Sequence, residues 1–367
     1  MKRLVQFLAA FIIVLGLCGV GSFAVVYVLT GGNVVRGIQT AILRLQLAGR
    51  QNDLNTPIST DDTLIRFTVT MGDTPTLVAN NLKNAGLIAD SELFVAYMRV
   101  ESLDTQIQAS TYFLNRAQTI PQIANTIIDS RNSSITFRVS EGSRLEEIAA
   151  AVDAERRFGF RGADFLAATQ SAASIDAQLA TQLGLNANMP LEGFMFPNTY
   201  SLPPNISAVE LRDTLLQEFV NQLSATAFAD ATAQGFTMRD IVTLASIIER
   251  ESFHSDEDAT ISSVYRNRLN INMLLQADPT VQYGLNSSRG SWWAQITQAD
   301  YTNVQSPYNT YLVYGLPPGP IASPSLSAIL GALYPETTPY YFFRARCDGS
   351  LRHVFAVTFE EHLANGC

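Results

Sequence analysis

The sequence predicts an α+β protein with three parts: an N-terminal transmembrane helix, a small α/β subdomain with an internal repeat, and a larger mixed α+β domain. Three observations support this prediction. The chain begins with a long uncharged apolar run, a strand–turn–helix pattern occurs twice with an offset of 70 residues, and the second half alternates helix-like stretches with polar loops. With 47% hydrophobic and 16% charged residues, the 367-residue chain should bury a substantial core.

The N-terminal apolar run, residues 4–30, contains no charge and is long enough to cross a bilayer once as a helix. Lys2 and Arg3 precede it, which favours a cytoplasmic tip of residues 1–3 and an extracytoplasmic remainder. A cleaved signal peptide is the alternative, but the run is longer than usual and no Ala-x-Ala site follows it. We therefore expect a retained single-pass anchor in the cell membrane, with residues 31–62 as a stalk.

The internal repeat lies in residues 63–155. Each copy reads as a strand, a glycine turn and a helix: Phe67-x-Val69-x-x-Gly72 with a helix over 77–85, and Phe137-x-Val139-x-x-Gly142 with a helix over 145–152. A strand over 111–114 and a helix over 120–128 are predicted between them. Such units are typical of a LysM-like glycan-binding module, although two unrelated βα units sharing one turn would give the same pattern.

The remaining chain divides into a connecting region, residues 156–205, and a mixed α+β domain, residues 206–367. Hydrophobic periodicity predicts helices over 208–223, 237–252 and 260–269 in this domain. The segments 340–343 and 353–357 read as a terminal hairpin.

Charge and cysteine content narrow the possible ligands. The net charge of −9 and the pI of about 4.9 argue against nucleic acid and are compatible with an uncharged glycan. Cys347 and Cys367 could pair in an oxidising compartment, or be two unrelated thiols. The three histidines show no metal-ligand spacing with the cysteines, so the sequence predicts no metal and no cofactor.

Glu251 is the strongest catalytic candidate. Thr237 and Asp240 resemble a capping-box start, and an apolar stripe at helical spacing leads from there to Glu251. Glu249 lies about 160° away on the same helix. A carboxyl group in apolar surroundings has a raised pKa and can serve as a general acid. The alternative is a frayed last turn in which Glu251 bends into water.

The loops after Glu251 supply the aromatic, amide and carboxylate side chains that a polysaccharide groove needs. The candidates for substrate contact there are Gln276, Asp278, Thr280, Tyr283, Tyr308, Asn309 and Tyr311. Ordinary turn formation would also explain each of them singly.

Two enzymatic reactions are compatible with a glycan groove. A glycoside hydrolase usually pairs two carboxylates, for which Glu249 or Asp278 could be the second. A lytic transglycosylase needs one acid/base, because the C6 hydroxyl of the sugar replaces water. A catalytically silent glycan-binding scaffold is the alternative outside enzymes.

An ordered set of motifs resembles the endolytic murein transglycosylases of the MltG, or YceG-like, family, from about Phe67 to the end of the chain. The motifs are Leu191-Glu-Gly-x-x-Phe-Pro-x-Thr-Tyr200, Leu244-Ala-Ser-Ile-Ile-Glu-Arg-Glu251, Val264-x-x-Asn267-Arg268-Leu269, Leu275-Gln-Ala-Asp-Pro-Thr-Val-Gln-Tyr-Gly284, Ser306-Pro-Tyr-Asn-Thr-Tyr311, Gly315-Leu-Pro-Pro-Gly-Pro320 and His353-Val-Phe355. Ala277 and Asn198 depart from the residues that are common at these positions in the family.

The resemblance implies an inner-membrane enzyme that cuts nascent peptidoglycan strands internally, leaves a 1,6-anhydro-N-acetylmuramic acid (anhydro-MurNAc) end, and limits strand elongation near peptidoglycan synthases. It implies that Glu251, the second glutamate of Glu-x-Glu, is catalytic. It also adds Ser252, Glu249, Asn267, Arg268 and His353 to the expected substrate contacts.

Overall fold

The computed structural model describes residues 34–366, and side chains from residue 41 onward. The predicted transmembrane helix, residues 4–30, lies outside this part of the chain and stays a prediction. Within residues 34–366, no helix combines the length and the apolar character that crossing a bilayer requires. The mixture of helices and small sheets confirms the α+β class. The chain forms two compact units, which divide between Ser134 and Ile135.

In its described part, the first unit contains seven helices and strands, the first two of them in the predicted stalk, and ends with a short 3-10 turn. In chain order it comprises α1 (Val34–Ala48), α2 (Gln51–Asn55), β1 (Ile65–Val69), α3 (Pro75–Asn84), α4 (Ser91–Val100), β2 (Ser110–Leu114), α5 (Ile120–Ile127) and the turn Ser130–Ser133. Strands β1 and β2 pair antiparallel. Leu47 and Leu54 belong to the core of this unit, so part of the predicted stalk packs into it.

Capping fixes the ends of the helices in the first unit. The hydroxyl of Thr74 accepts a hydrogen bond from Leu77 N, with Pro75 in the first turn of α3. Thr119 and Gln122 form a capping box at the start of α5. The amphipathic faces of these helices then bury Leu82, Phe94, Ile123 and other apolar side chains against the two strands.

The second unit is predominantly helical and, in its described part, contains two separate two-stranded antiparallel sheets. Its elements are β3 (Ile135–Val139), α6 (Leu145–Ala154), α7 (Gly162–Thr169), α8 (Ala177–Leu183), β4 (Asn198–Leu202), α9 (Ala208–Gln222), α10 (Ala227–Ala233), α11 (Met238–Glu251), α12 (Asp258–Asn270), α13 (Asp278–Leu285), α14 (Asp300–Asn303), α15 (Leu326–Leu333), β5 (Phe342–Ala345), β6 (His353–Ala356) and α16 (Phe359–Ala364), with 3-10 turns at Ala172–Ser174 and Ser255–Glu257. Strand β3 pairs antiparallel with β4, and β5 with β6.

The structure confirms the strand–turn–helix architecture of both repeat copies. Strand β1 and helix α3, and then β3 and α6, keep the 70-residue offset of the sequence. Gly72 and Gly142 both have positive φ, +94° and +69°, which explains why each turn uses glycine. The two copies lie in different compact units, whereas the sequence predicts them in one subdomain of residues 63–155. LysM-like glycan binding stays a prediction.

Helix α11 is the centre of the second unit. Thr237 and Asp240 form the predicted capping box. All residues from Ile241 to Ile248 are buried, so the helix has no solvent-facing side over this stretch. The angle of about 160° between Glu249 and Glu251 therefore does not separate a solvent side of α11 from a buried side, because Val242 and Ser246, which are in phase with Glu249, are also buried.

Two elements differ from the sequence reading. Residues 198–202, which belong to the predicted connecting region and for which no strand is predicted, form β4 beside β3. Asp278, read as a turn residue, is the first residue of helix α13, where Pro279 occupies the first turn. Proline favours either setting, since its fixed φ suits both turns and helix starts.

Candidate active site

Glu251 lies in a cavity of about 540 Å³ in the second unit, called the Glu251 cavity below. The cavity is bounded by the end of α11, helix α12, the start of α13 and the β5–β6 hairpin. Its lining residues are Glu251, Tyr265, Arg268, Leu275, Gln276, Asp278, Tyr301, Tyr311, Phe342, Phe343, Arg344, Ala345, His353, Phe359 and His362. Six of the thirteen residues proposed from the sequence therefore meet in one place: Glu251, Arg268, Gln276, Asp278, Tyr311 and His353.

The side chain of Glu251 is held at the end of an intact helix. Ser252 N donates to Ile248 O at 2.8 Å, so the last turn of α11 is not frayed. Glu251 is half-buried, and Tyr265 Oη on α12 donates a hydrogen bond to its Oε1 at 3.2 Å. The carboxyl group therefore faces the cavity and does not bend into water.

The environment of Glu251 favours its protonated form. The pKa of Glu251 is raised from 4.5 to about 7. Burial is the largest cause, and the negative charge of the neighbouring Asp278 carboxylate is the second. The Tyr265 hydrogen bond and the positive charge of Arg268 act in the opposite direction and do not cancel the rise. At neutral pH a substantial fraction of Glu251 can donate a proton, which general acid catalysis requires.

Asp278 brings a second carboxyl group into the same cavity. Tyr311 Oη donates to Asp278 Oδ1 at 2.6 Å, and the rings of Tyr311 and Tyr301 stack with centroids 4.1 Å apart. Burial, followed by the hydrogen bond to Asp278, raises the pKa of Tyr311. The stacked pair therefore presents stable neutral phenols beside Asp278, on a flat aromatic surface suited to a sugar ring.

Arg268 joins two segments of the cavity wall. Its Nε donates to Tyr341 O at 2.7 Å and its Nη1 to Leu275 O at 2.6 Å. Burial lowers the pKa of this guanidinium. The adjacent Asn267 points elsewhere, and its Nδ2 donates to Thr338 O and Tyr340 O at 2.9 and 2.8 Å. Asn267 thus fixes the backbone that leads into β5 and does not line the cavity.

His353 and Gln276 complete the predicted residues of the cavity. His353 is buried on β6, and its Nδ1 lies 2.9 Å from Glu257 Oε2. Glu257 also accepts from His353 N at 3.1 Å, so the carboxylate fixes both ring and backbone. Gln276 has an exposed side chain and a positive φ of 52°, and its backbone N donates to Thr310 O.

The other predicted substrate contacts lie outside the cavity lining. Thr280 and Asn309 are buried and hold loops together, through Thr280 Oγ1 to Ala277 O at 2.6 Å and Asn309 Nδ2 to Val304 O at 2.9 Å. The rings of Tyr283 and Tyr308 contact each other at 4.6 Å, and Arg144 lies over Tyr283.

The two polar neighbours of Glu251 on its own helix also face other groups. Glu249 Oε2 accepts from Ser325 N at 2.9 Å, at the start of α15. Burial raises the pKa of Glu249 as well. Ser252 Oγ donates to His254 O at 2.8 Å and shapes the chain leaving α11. Glu249 and Glu251 thus differ in what they face, although both are half-buried.

Sequence reasoning missed several residues of the cavity. Tyr265 follows Glu251 by fourteen positions on another helix, and no local pattern marks it as a partner. The aromatic run of the predicted hairpin was a usable signal, because it contains Phe342 and Phe343. The further missed lining residues are Leu275, Tyr301, Arg344, Ala345, Phe359 and His362.

Cys347 is disulfide-bonded, whereas Cys18 and Cys367 lie outside the described residues. Between residues 34 and 366, no cluster of histidine, cysteine, aspartate and glutamate has the arrangement of a metal site.

Comparison with known proteins gives consistent matches over most of the chain. The family model described as the YceG-like family matches residues 67–366. An endolytic murein transglycosylase of Bacillus subtilis (strain 168) is 28% identical over 317 residues, which cover 83% of this chain and 85% of that protein. One of Streptococcus pneumoniae serotype 2 (strain D39) is 27% identical over 311 residues, covering 78% of this chain and 55% of that protein.

Among solved structures, the crystal structure of a yceG-like protein from Listeria monocytogenes is similar to this chain, with a TM-score of 0.56 and 28% identity. The match covers 83% of this chain and 99% of the Listeria chain. The chain thus spans nearly all of that structure but about half the length of the pneumococcal relative.

Proposed function

This chain belongs to the YceG-like family, and we propose that it is a lytic transglycosylase that cleaves the glycan strands of peptidoglycan. The observation that supports this most directly is Glu251, a carboxyl group with a pKa of about 7 that faces a cavity lined by aromatic and polar side chains. Relatives in Bacillus and Streptococcus carry the name endolytic murein transglycosylase.

In the proposed reaction, Glu251 serves first as acid and then as base. Its proton passes to the glycosidic oxygen as the bond from MurNAc C1 breaks, which releases the GlcNAc C4 hydroxyl. The MurNAc C6 hydroxyl then forms the new bond to C1, and its proton returns to Glu251. No water is consumed, and the product is a 1,6-anhydro-MurNAc end.

Neighbouring residues prepare Glu251 for both steps. Tyr265 Oη holds Oε1 and thereby orients the carboxyl group. The negative charge of Asp278 raises the pKa of Glu251, which favours the protonated state before bond cleavage. The stacked rings of Tyr301 and Tyr311 provide an apolar face for a sugar beside these groups.

We further propose that the enzyme acts on nascent strands at the membrane, where internal cleavage would end strand elongation. The apolar run of residues 4–30 would anchor it in the cell membrane with the second unit outside the cytoplasm. Peptidoglycan synthases, which make its substrate, are the expected neighbours in that location.

A murein hydrolase is the second candidate, and the position of Asp278 favours it. Asp278 shares the cavity with Glu251, as the two carboxyl groups of a glycosidase do. In that reaction Glu251 would still protonate the leaving oxygen, but water would attack C1 with help from Asp278.

Digestion of purified glycan strands in water enriched in oxygen-18 tests the proposal. A lytic transglycosylase gives anhydro-MurNAc ends without the heavy isotope, and mass spectrometry measures both properties of each product. Reducing ends that carry oxygen-18 would instead identify a hydrolase. Strands that bind but keep their length would contradict both reactions and indicate a glycan-binding scaffold.

A further inference from the structure

The Glu251 cavity contains cationic side chains as well as carboxyl groups. Arg268 and Arg344 line it together with His353 and His362. The sugar rings of peptidoglycan are uncharged, so neither protonation of a glycosidic oxygen nor stacking on aromatic rings requires two guanidinium groups. A negatively charged part of the ligand would give these guanidinium groups a binding role.

Arg268 has hydrogen-bonding capacity that the protein does not use. Its Nε and Nη1 donate to backbone carbonyls, but Nη2 makes no hydrogen bond within residues 41–366. The residue is only 7% exposed, and the surface that remains lines the Glu251 cavity. The two N–H groups of Nη2 can therefore donate to an acceptor in the cavity.

The side chain of Arg344 makes fewer hydrogen bonds to the described part of the protein than that of Arg268. Its Nη1 makes one long hydrogen bond, to His362 O at 3.4 Å. In the described part of the chain, no carboxylate lies within ion-pair distance of this half-buried side chain. Its planar fork can bind an anion with two parallel hydrogen bonds.

His362 adds a third polar group beside the two arginines. Its ring lines the cavity, and its Nδ1 is buried without a hydrogen-bond partner among the described residues. Burial and the charges of Arg344 and Arg268 lower the pKa of His362, so it is neutral at neutral pH. A neutral imidazole can donate a hydrogen bond to an anion held by the arginines.

We propose that Arg344 and Arg268 form a carboxylate subsite for the peptide carried by MurNAc, which makes peptide-bearing strands the preferred substrate. This inference rests on the proposed function, because it takes peptidoglycan as the ligand. In peptidoglycan the carboxylates belong to the peptide, which is attached through the lactyl group of MurNAc. A guanidinium that binds one would therefore position the MurNAc ring whose C1 bond is cleaved.

Binding at this subsite would also act on Glu251. The positive charge of Arg268 lowers the pKa of Glu251. A bound carboxylate would offset that charge, so the proton on Glu251 would be held more firmly once the correct strand is in place.

The test compares three substrates: peptide-bearing strands, the same strands with their peptide carboxylates converted to amides, and strands whose peptides an amidase has removed. The amidase-treated strands keep only the carboxylate of the lactyl group. We expect kcat/KM of the unmodified protein to fall by about tenfold to a hundredfold from the first substrate to each of the others, since hydrogen bonds to charged groups are lost.

Arg344→Gln should lower kcat/KM on peptide-bearing strands by a similar factor and remove the difference among the three substrates. Arg344→Lys keeps the charge and should restore part of the preference, which guards against a folding defect in the glutamine variant. Arg138→Gln removes an exposed arginine of the same unit and should leave the preference unchanged.

Two results would overturn the subsite. Equal rates on peptide-free and peptide-bearing strands would contradict the assignment to the peptide, and a preference that survives Arg344→Gln would contradict the role of this arginine. Binding of the three strands to Glu251→Gln, measured by calorimetry, separates the two proposals. Carboxylate-dependent binding by Glu251→Gln, together with no anhydro product from the unmodified protein, would leave the subsite intact and contradict the transglycosylase function.

Discussion

Two substitutions around Glu251 should move the pH dependence of the reaction in opposite directions. Tyr265→Phe removes the hydroxyl that donates to Glu251 Oε1, and keeps the ring that packs edge-on against Phe343 at 5.7 Å. Asp278→Asn removes a negative charge and keeps an oxygen that can accept from Tyr311 Oη. The first loses an interaction that lowers the pKa of Glu251, and the second loses one that raises it.

The size of the Tyr265→Phe effect follows from the hydrogen bond. A bond to a charged group contributes about 1.5–3 kcal/mol. At 3.2 Å this one is long for an O–H donor, so the lower end applies. One pKa unit corresponds to about 1.4 kcal/mol, so the pKa of Glu251 should rise by about one unit. Removal of the nearby charge in Asp278→Asn should lower it by about one unit.

The sign of the pH effect follows from the acid role of Glu251. With a pKa of about 7, the carboxyl group keeps its proton below that pH and loses it above, so activity should fall as pH rises through 7. The alkaline limb should move up in Tyr265→Phe and down in Asp278→Asn.

The assay is kcat/KM for formation of anhydro ends between pH 5 and 9, quantified by chromatography of the digested strands. This ratio reports the titration of the free enzyme. The assignment of the proton to Glu251 would be refuted if the alkaline limbs of both variants moved in the same direction. It would also be refuted if the alkaline limb of the unmodified protein lay far from pH 7.

Two predictions concern stability. Glu192 is 3% exposed, and burial raises its pKa from 4.5 to about 8. The native state therefore keeps a proton that the unfolded chain releases, and the stability of the second unit should fall by up to about 5 kcal/mol as pH rises from 4.5 to 8. Glu192→Gln should flatten that slope in urea unfolding at several pH values; an unchanged slope would contradict it. A Cβ at Gly162 would lie 2.2 Å from Ala149 O, so Gly162→Ala should cost about 1–3 kcal/mol. At Gly290 a Cβ meets nothing within 4 Å but φ is +78°, so Gly290→Ala should cost about 1 kcal/mol; a cost as large as that of Gly162→Ala would contradict the steric argument.

The elements that local chemistry specifies were predictable from the sequence. The capping box of Thr237 and Asp240, the repeat turns at Gly72 and Gly142, and the terminal hairpin all follow from patterns spanning a few residues. Strand β4 was missed because its partner β3 lies about sixty residues earlier, and such pairing leaves no local signal. Pro197, Pro203 and Pro204, which flank the strand, also favour the prediction of a loop.

The site was predictable in its centre and not in its surroundings. Periodicity placed Glu251 on a buried helix, but it could not separate Glu251 from Glu249, because α11 is buried on every side. The two glutamates differ in their tertiary contacts. Tyr265 and Asp278 lie close to Glu251, whereas Ser325 N donates a hydrogen bond to Glu249. Loop polarity selected Gln276, Asp278 and Tyr311, which line the cavity, but it also selected Thr280 and Asn309, which hold the loops together.

The most direct test of the central claim is the yield of anhydro-MurNAc ends from Glu251→Gln and Glu249→Gln, assayed side by side. Both substitutions keep the shape of the side chain and remove its acidity. We expect no anhydro ends from Glu251→Gln and near-normal yield from Glu249→Gln, whose amide oxygen can still accept from Ser325 N. Continued formation of anhydro ends by Glu251→Gln would show that the proton comes from another group.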